Sequence, residues 1–487
     1  MIAEILTALY LVAALLLAVY ASGVLLLLIS YGRHRHQQPA LPPVSEWPSV
    51  VVQLPIYNER HVVKRLLDAA ASLDYPPDRL HIQLLDDSTD DTSAIAAAHI
   101  ATLRRDGLHV DHIRRPDRVG YKAGALAHGL ARTSCDLAAV FDADFVPPPD
   151  FLRRTVPYFS ADPGLGMVQT RWTHLNRSDN WLTRGQALAL DGHFVVEQTA
   201  RSRAGWLINF NGSAGVWRVS CIEAAGGWRD TTLTEDLDLS YRAQLAGWRF
   251  LYLPTVVVPA ELPPQMAAYK QQQARWAGGS TRTLLLMAGP LWRARLTLGQ
   301  RIMATLHLCQ YLPHPLMLLL LLLTPPLIVA HGLHGLPLGP LGVLGLAPPL
   351  IYATSQHALY PDWRRRLLAF PLLLALGTGI SWNNTRAVIG ALLPRARPAE
   401  FRRTPKFAAR WSGSAYVLRA DTSTLVEILL ALYALAGALL ALSRQPALAP
   451  WLALYAYAFG LTAAFSLHDQ WLIHRSAQRP RRTPVLQ

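Results

Sequence analysis

Cysteine is scarce in this chain of 487 residues: Cys135, Cys221 and Cys309 are odd in number, far apart and in no metal-ligand spacing. That excludes a disulfide framework and a cysteine-based zinc site, and free thiols suit a reducing cytosol. Acidic charge is also in short supply, with 32 Asp and Glu against 46 Lys and Arg, a formal net charge of +14. Such an excess fits either a nucleic-acid ligand or the positive-inside asymmetry of a membrane protein. No nucleic-acid motif occurs. The basic residues instead gather beside apolar runs, at Arg33 and Arg35, Arg364 to Arg366, Arg395 and Arg397, Arg402 and Arg403, and Arg479, Arg481 and Arg482. The membrane reading follows.

Apolar sequence is what the chain has in plenty: 51% of residues are hydrophobic. At this length two structural units are expected. Residues 5–29 hold about 25 apolar residues without a charge, enough to span a bilayer. No basic segment precedes this run and no clear cleavage site follows it, so residues 1–32 read as a retained anchor rather than a signal peptide. Arg33 and Arg35 then place the N-terminus outside and the following chain in the cytosol. His34 and His36 read as a solvated flank.

Residues 45–260 read differently. Short apolar runs at 49–54, 82–85, 137–141 and 250–258 alternate with Ala-rich helical stretches at 61–73 and 92–104. Alternation of this kind predicts an α/β domain with a mostly parallel sheet, whose ligand binds outside the carboxyl ends of the strands. Four motifs fall at such ends. Gln53-Leu-Pro-Ile-Tyr57-Asn-Glu59 is a strand running into a helix. Asp86-Asp87-Ser-Thr-Asp90-Asp-Thr92 is an acidic strand end; Thr89 to Thr92 serve equally well as helix caps, whereas Asp87 lies before the cap and is favoured as a ligand contact. Asp142-Ala-Asp144 pairs two carboxylates, a pattern that also occurs in plain turns but that suits a hard divalent cation holding a diphosphate. Thr234-Glu235-Asp236 opens a helix and offers a general base. Arg114, Arg118 and Lys122 supply cations between the acidic clusters. Gln272-Gln-Ala-Arg275-Trp276 follows where the chain reaches the membrane; Trp276 reads as an interfacial anchor or as an aromatic platform for a sugar.

The series Asp87, Asp142-x-Asp144, Thr234-Glu-Asp236 and Gln272-x-x-Arg275-Trp276 resembles the signature of processive family 2 glycosyltransferases of the cellulose synthase and glucomannan synthase type. Asn211-Gly-Ser-Ala-Gly-Val-Trp217-Arg and Glu235-Asp-Leu-Asp-Leu-Ser-Tyr-Arg are similar to the mannan and glucomannan branch in particular. The resemblance covers roughly residues 48–300 and implies a GT-A-like, Rossmann-like cytosolic domain fused to a multi-span helical membrane domain. It assigns Tyr57, Glu59, Asp87, Lys122, Asp142, Gln272 and Arg275 to the donor, a UDP- or GDP-hexose. It assigns Asp142 and Asp144 to Mg2+ or Mn2+, Asp236 with Glu235 and Thr234 to catalysis, and Trp276 and Trp217 to the acceptor. Phe401-Arg-Arg-Thr404-Pro-Lys406-Phe407 resembles the gating loop of cellulose synthases, with Arg403 where those enzymes carry an apolar residue; a basic cytosolic loop is the other reading.

The expected organisation is an anchor (1–32), the catalytic domain (45–260), interfacial amphipathic helices with Gln272-x-x-Arg-Trp (261–300), two spans (301–360, as 303–330 and 338–359), an interfacial or re-entrant helix (367–392) with the gating-like loop (361–412), two more spans (420–470, as 424–442 and 449–467) and a basic cytosolic tail (471–487). By resemblance the chain is a membrane-embedded inverting β-glycosyltransferase of the inner or plasma membrane. It would extend a polysaccharide from a nucleotide sugar, with export. A non-processive enzyme acting on a glycolipid remains open, and so does a transporter or scaffold that only binds nucleotide.

Overall fold

The computed structural model describes residues 1–336, 338–393, 401–408 and 411–478. Arg395, Arg397 and the basic tail from residue 479 onward, including Arg479, Arg481 and Arg482, lie outside the described residues. The soluble part is built on a seven-stranded sheet in the order β3-β2-β1-β4-β6-β5-β7. The strands are β1 (Val50–Ile56), β2 (Leu80–Asp86), β3 (Val110–Arg114), β4 (Leu137–Val140), β5 (Leu165–His174), β6 (Gly215–Arg218) and β7 (Arg249–Ala260). β1 to β4 pair in parallel, as do β5 and β7, while β6 runs antiparallel to both β4 and β5. The predicted α/β domain is present, with its last strand ending at residue 260.

β1 is buried along its whole length. Val50, Val52, Leu54 and Ile56 face one apolar layer and Val51 the other, which is why the run reads as continuously apolar rather than alternating. Burying each such side chain contributes about 1.5–3 kcal/mol. The chain order reverses direction between β1 and β4. Crossovers on one side lead to β2 and β3, and on the other to β4, so the loops after β1 and β4 diverge and leave a crevice at their carboxyl ends.

Beyond the sheet the chain is helical. Among the described residues, four helices are long and apolar enough to cross a membrane: Ile2–His34, Trp363–Leu392, Ser423–Arg444 and Pro446–Gln478. Leu425, Leu429, Leu432, Leu435, Leu439 and Leu442 stand exposed along one of them, an apolar face that water does not favour. This is a membrane protein. Two expected spans take another form. The 303–330 run is two helices, Leu298–Leu308 and Pro313–Val329, bent by 64°. The 338–359 run is also broken, into Leu338–Leu344 and Ala347–Leu359, because Gly345 ends the first and Pro348 and Pro349 stand in the first turn of the second rather than kinking a continuous span. The 367–392 run, expected as an interfacial or re-entrant helix, falls within Trp363–Leu392, which is long enough to cross, yet 56% of its apolar window is buried inside the molecule against 33% in each of the other three. It packs on the Met266–Arg293 helix, where Asn383 Nδ2 donates to the Lys270 carbonyl over 2.9 Å.

Candidate active site

The crevice at the switch point is a cleft of about 160 Å3, and every site residue expected from the sequence lines it except Trp217 and Arg114. Trp217 is a correction. It is wholly buried on β6, packed edge-on against Phe210, Trp228 and Phe250 beneath the sheet, so it touches no acceptor. Strand alternation sends Val216 to one apolar layer and Trp217 to the other. Arg114 also leaves the site: its guanidinium donates to the Ser88 carbonyl at 3.0 Å and stands outside the cleft.

On one wall, the loop after β1 presents Tyr57, whose ring lies 3.4 Å under the Arg118 guanidinium. Tyr121 and Phe401 complete an aromatic surround, with ring centroids 5.7 Å apart. The acidic end of β2 divides its labour. Asp86 accepts from Ser88 N, Ser93 Oγ and His112 Nε2 at 2.6–2.8 Å, and these bonds outweigh burial and hold its carboxyl at about 2. It is structural. Asp87 reaches the cleft but is gripped by both arms of Arg115, at 2.9 and 2.5 Å.

At the end of β4, Asp142 Oδ1 meets Lys122 Nζ at 2.5 Å, and Asp144 Oδ2 meets Lys406 Nζ at 2.7 Å. Burial raises the Asp144 carboxyl against the pull of Lys406. Lys122 also donates to the Gly212 carbonyl at 2.7 Å and lies 3.7 Å from Glu235. Burial opposes its charge, but Asp142, Glu235 and Asp236 raise its pKa overall. Asp236, in the first turn of the Glu235–Leu245 helix, is pushed up to about 7 by burial and then by Glu235, while Lys122 pulls the other way. Gly212 makes room for it. Gly212 has φ +87°, and a Cβ there would lie 2.9 Å from Asp236 Oδ2. Gly279 plays a similar part: a Cβ would fall within 2.4 Å of Thr234, so the glycine lets the Met266–Arg293 helix press Gln272, Arg275 and Trp276 against the site.

Residues 401–408 cross the mouth. Gln271 Nε2 holds the Arg403 carbonyl at 2.7 Å, and Phe407 N and Ala408 N donate to Glu261 at 3.3 Å. Arg403 lies 3.4 Å from Glu59, whose burial lifts its carboxyl to about 8, and 4.1 Å over the Tyr416 ring. Glu261 and Arg115 were invisible to motif reading. Each acts through partners far away in sequence, and neither stands in a motif.

Behind Asp236 the cleft meets a second cavity of about 880 Å3 that runs among the apolar helices. Trp172, Asn211, Thr234, Asp236, Gln272 and Trp276 line both. A polar, doubly acidic, lysine-rich cleft thus shares a wall with a large apolar chamber.

Comparison with known proteins bears on this arrangement. Residues 48–279 match the family described as "Glycosyltransferase like family 2". The matched region, a little under half of the chain, coincides with the α/β domain and the start of the Met266–Arg293 helix. It is 46% identical over 239 residues to "Glucomannan 4-beta-mannosyltransferase 2" of Arabidopsis thaliana, covering 48% of this chain and 45% of that protein. It is 42% identical over 282 residues to "Glucomannan 4-beta-mannosyltransferase 9" of the same plant, covering 55% and 53%. The chain thus spans about half the length of the curated relatives it matches. Among solved structures it is similar to the mannosyltransferase PcManGT of Pyrobaculum calidifontis, solved with GDP-Man and Mn2+. The TM-score is 0.55 at 22% identity, covering 80% of this chain and 99% of that one. The fold is GT-A-like.

Proposed function

We propose that the chain is a membrane-embedded inverting β-glycosyltransferase that passes a hexosyl group, mannosyl from a GDP-linked donor before glucosyl from a UDP-linked one, to a growing β-glycan. The observation that carries this reading is the position of Asp236, poised near neutrality where the acidic cleft opens into the large cavity. The 42–46% identity to glucomannan mannosyltransferases over the domain supports the choice of sugar.

In this reading the nucleoside lies against Tyr57 and Arg118, and the diphosphate meets Lys122 and Arg275. Asp142 and Asp144 offer hard carboxylate oxygens at one strand end, a donor set that fits Mg2+ or Mn2+; each is neutralised here by a lysine, which marks a place built for positive charge. Such an ion would offset charge developing on the leaving diphosphate. Asp236 takes the proton of the acceptor hydroxyl as its oxygen bonds to the anomeric carbon. The carbon–diphosphate bond breaks on the opposite face, its electrons leave with the nucleotide, and the configuration inverts. Trp276 gives the acceptor ring a flat apolar face, and the residue 401–408 loop excludes water from the donor. The large cavity offers the product a way on, consistent with processive synthesis and export. The domain faces the cytosol of the inner or plasma membrane, where the positive-inside asymmetry puts it.

The test is product analysis with purified protein in liposomes, labelled GDP-mannose or UDP-glucose, and Mg2+ or Mn2+, with Asp236→Asn as control. A long β-mannanase-sensitive polymer that the control fails to make is expected. A single-sugar, solvent-extractable product would transfer the case to a lipid acceptor.

A further inference from the structure

The helix that begins at Trp181 does not continue regularly to Arg203. Trp181–Gly192 gives way to a π turn at His193–Glu197 before α-helix resumes at Gln198, the one π turn among the described residues. Such turns open the i→i−4 ladder and are concentrated at functional sites. This one faces the large cavity, and His193, Phe194 and Glu197 line it together with Asn211, Asp236 and Trp276.

The polar groups here are linked in one chain. His193 Nδ1 lies 3.0 Å from Glu197 Oε2 and its Nε2 lies 3.0 Å from Asn211 Oδ1. Asn209 Nδ2 donates to the same Asn211 oxygen at 3.2 Å, which fixes the amide with its oxygen toward the imidazole. Asn211 N is tied to Gln169 Oε1 at 2.9 Å, and the next residue is Gly212, against Asp236. The cluster is therefore held rigidly beside the base.

It also has capacity to spare. Among the described residues His193 is the one hydrogen-bond partner of Glu197, so Oε1 accepts nothing. The Asn211 amide nitrogen has only a 3.5 Å contact with the Asn209 carbonyl. Burial raises the Glu197 carboxyl, but His193 and then Arg201 hold it below its usual value, so it remains an acceptor at neutral pH. An acceptor oxygen without a partner and an amide donor with one long contact, in a chamber that Trp276 also lines, have the chemistry of a sugar subsite: hydroxyls bond at the ring edge while the ring face stacks.

We propose that Glu197 and Asn211, oriented by His193, form an acceptor subsite that binds the hydroxyls of a glycan sugar ring lying over Trp276 beside Asp236. This rests on the glycosyl-transfer reading above. Glu197 and Asn211 are binding residues; His193 is a positioning residue that aims both.

The test uses full-length protein in liposomes with GDP-mannose and a β-1,4-linked manno-oligosaccharide primer, and measures KM for each substrate separately. Hydrolysis of GDP-mannose by water provides a third readout that needs no acceptor. Glu197→Gln and Asn211→Ala should each raise the primer KM about tenfold or more, the loss of a hydrogen bond involving a charged or buried group, with the KM for GDP-mannose unchanged. His193→Ala should raise it in the same direction, and its effect should vanish in a Glu197→Gln, Asn211→Ala background, which a merely structural histidine would not show. Primer KM within twofold of wild type in both Glu197→Gln and Asn211→Ala, while GDP-mannose hydrolysis continues, overturns the subsite and leaves the transferase reading standing. Should Glu197→Gln fail to fold, Asn211→Ala decides alone. A wild-type protein that neither hydrolyses a nucleotide sugar nor extends the primer overturns both.

Discussion

Asp236 shows how one residue acquires a role from its surroundings. Its carboxyl is raised to about 7 because burial and the adjacent Glu235 disfavour its charge more than Lys122 favours it. A general base works only when deprotonated, so kcat/KM should fall as pH drops below about 7 and level off above it. The checking measurement is a pH–rate profile of nucleotide-sugar turnover; an acid limb near 4, the ordinary carboxylate range, would remove Asp236 from that role. Gly212 makes a second test at this scale. Gly212→Ala places a methyl group 2.9 Å from Asp236 Oδ2 on backbone of positive φ. Transfer should fall about a hundredfold from misplacing the base, while thermal unfolding shifts by a few degrees. Asp86 and Asp87 both lie before the helix cap at the sheet edge, and the local sequence gives no reason to favour Asp87. The structure supplies the reason: Asp86 is consumed by Ser88, Ser93 and His112.

At the scale of elements, the Met266–Arg293 helix joins the two halves of the molecule. Its Lys270 Nζ sits 2.7 Å from Glu427 and 2.9 Å from Ser466 Oγ, and Met266 N donates to Asp469 at 2.7 Å. All are buried between the α/β domain and two apolar helices. Removing one partner strands a buried charge. Lys270→Met should therefore destabilise by about 3–5 kcal/mol, and the double change Lys270→Met, Glu427→Leu by much less. Thermal unfolding in detergent checks this, and equal losses in the two variants would refute it. Elements differed in how well they could be read from sequence. β1, β2, β4 and β7 are apolar runs and stand out. β6 (Gly-Val-Trp-Arg) and β3 (Val-Asp-His-Ile-Arg) are about as short as β4 but are interrupted by glycine or charged residues, so neither forms an apolar run. β5 hides polar residues at its centre, since buried Gln169 and Thr170 bond to Ser213 and Ala214 across the sheet instead of facing water. The 338–359 run misled because composition does not register a break at Gly345.

For the whole molecule, the arrangement makes acidic cleft and apolar chamber neighbours across Asp236 and Trp276. If Asp142 and Asp144 hold a divalent ion, dialysis against EDTA should abolish transfer and Mg2+ or Mn2+ should restore it. Chelation should leave the unfolding temperature nearly unchanged, because Lys122 and Lys406 already balance both carboxylates. Activity that survives chelation would remove the metal from the reaction.

The sequence by itself determined that this is a membrane protein with an α/β domain, and that its acidic motifs recur at strand ends. Those properties reside in short-range patterns: the length of an apolar run, its alternation, and the residues that follow it. Only the tertiary structure decided which side chains meet. Lys406 closes on Asp144 across 262 residues, Trp217 turns into the core rather than toward the cleft, and His193 joins Glu197 to Asn211 through a π turn. Such contacts depend on packing between elements distant in the chain, and nothing in the local residue pattern encodes that distance.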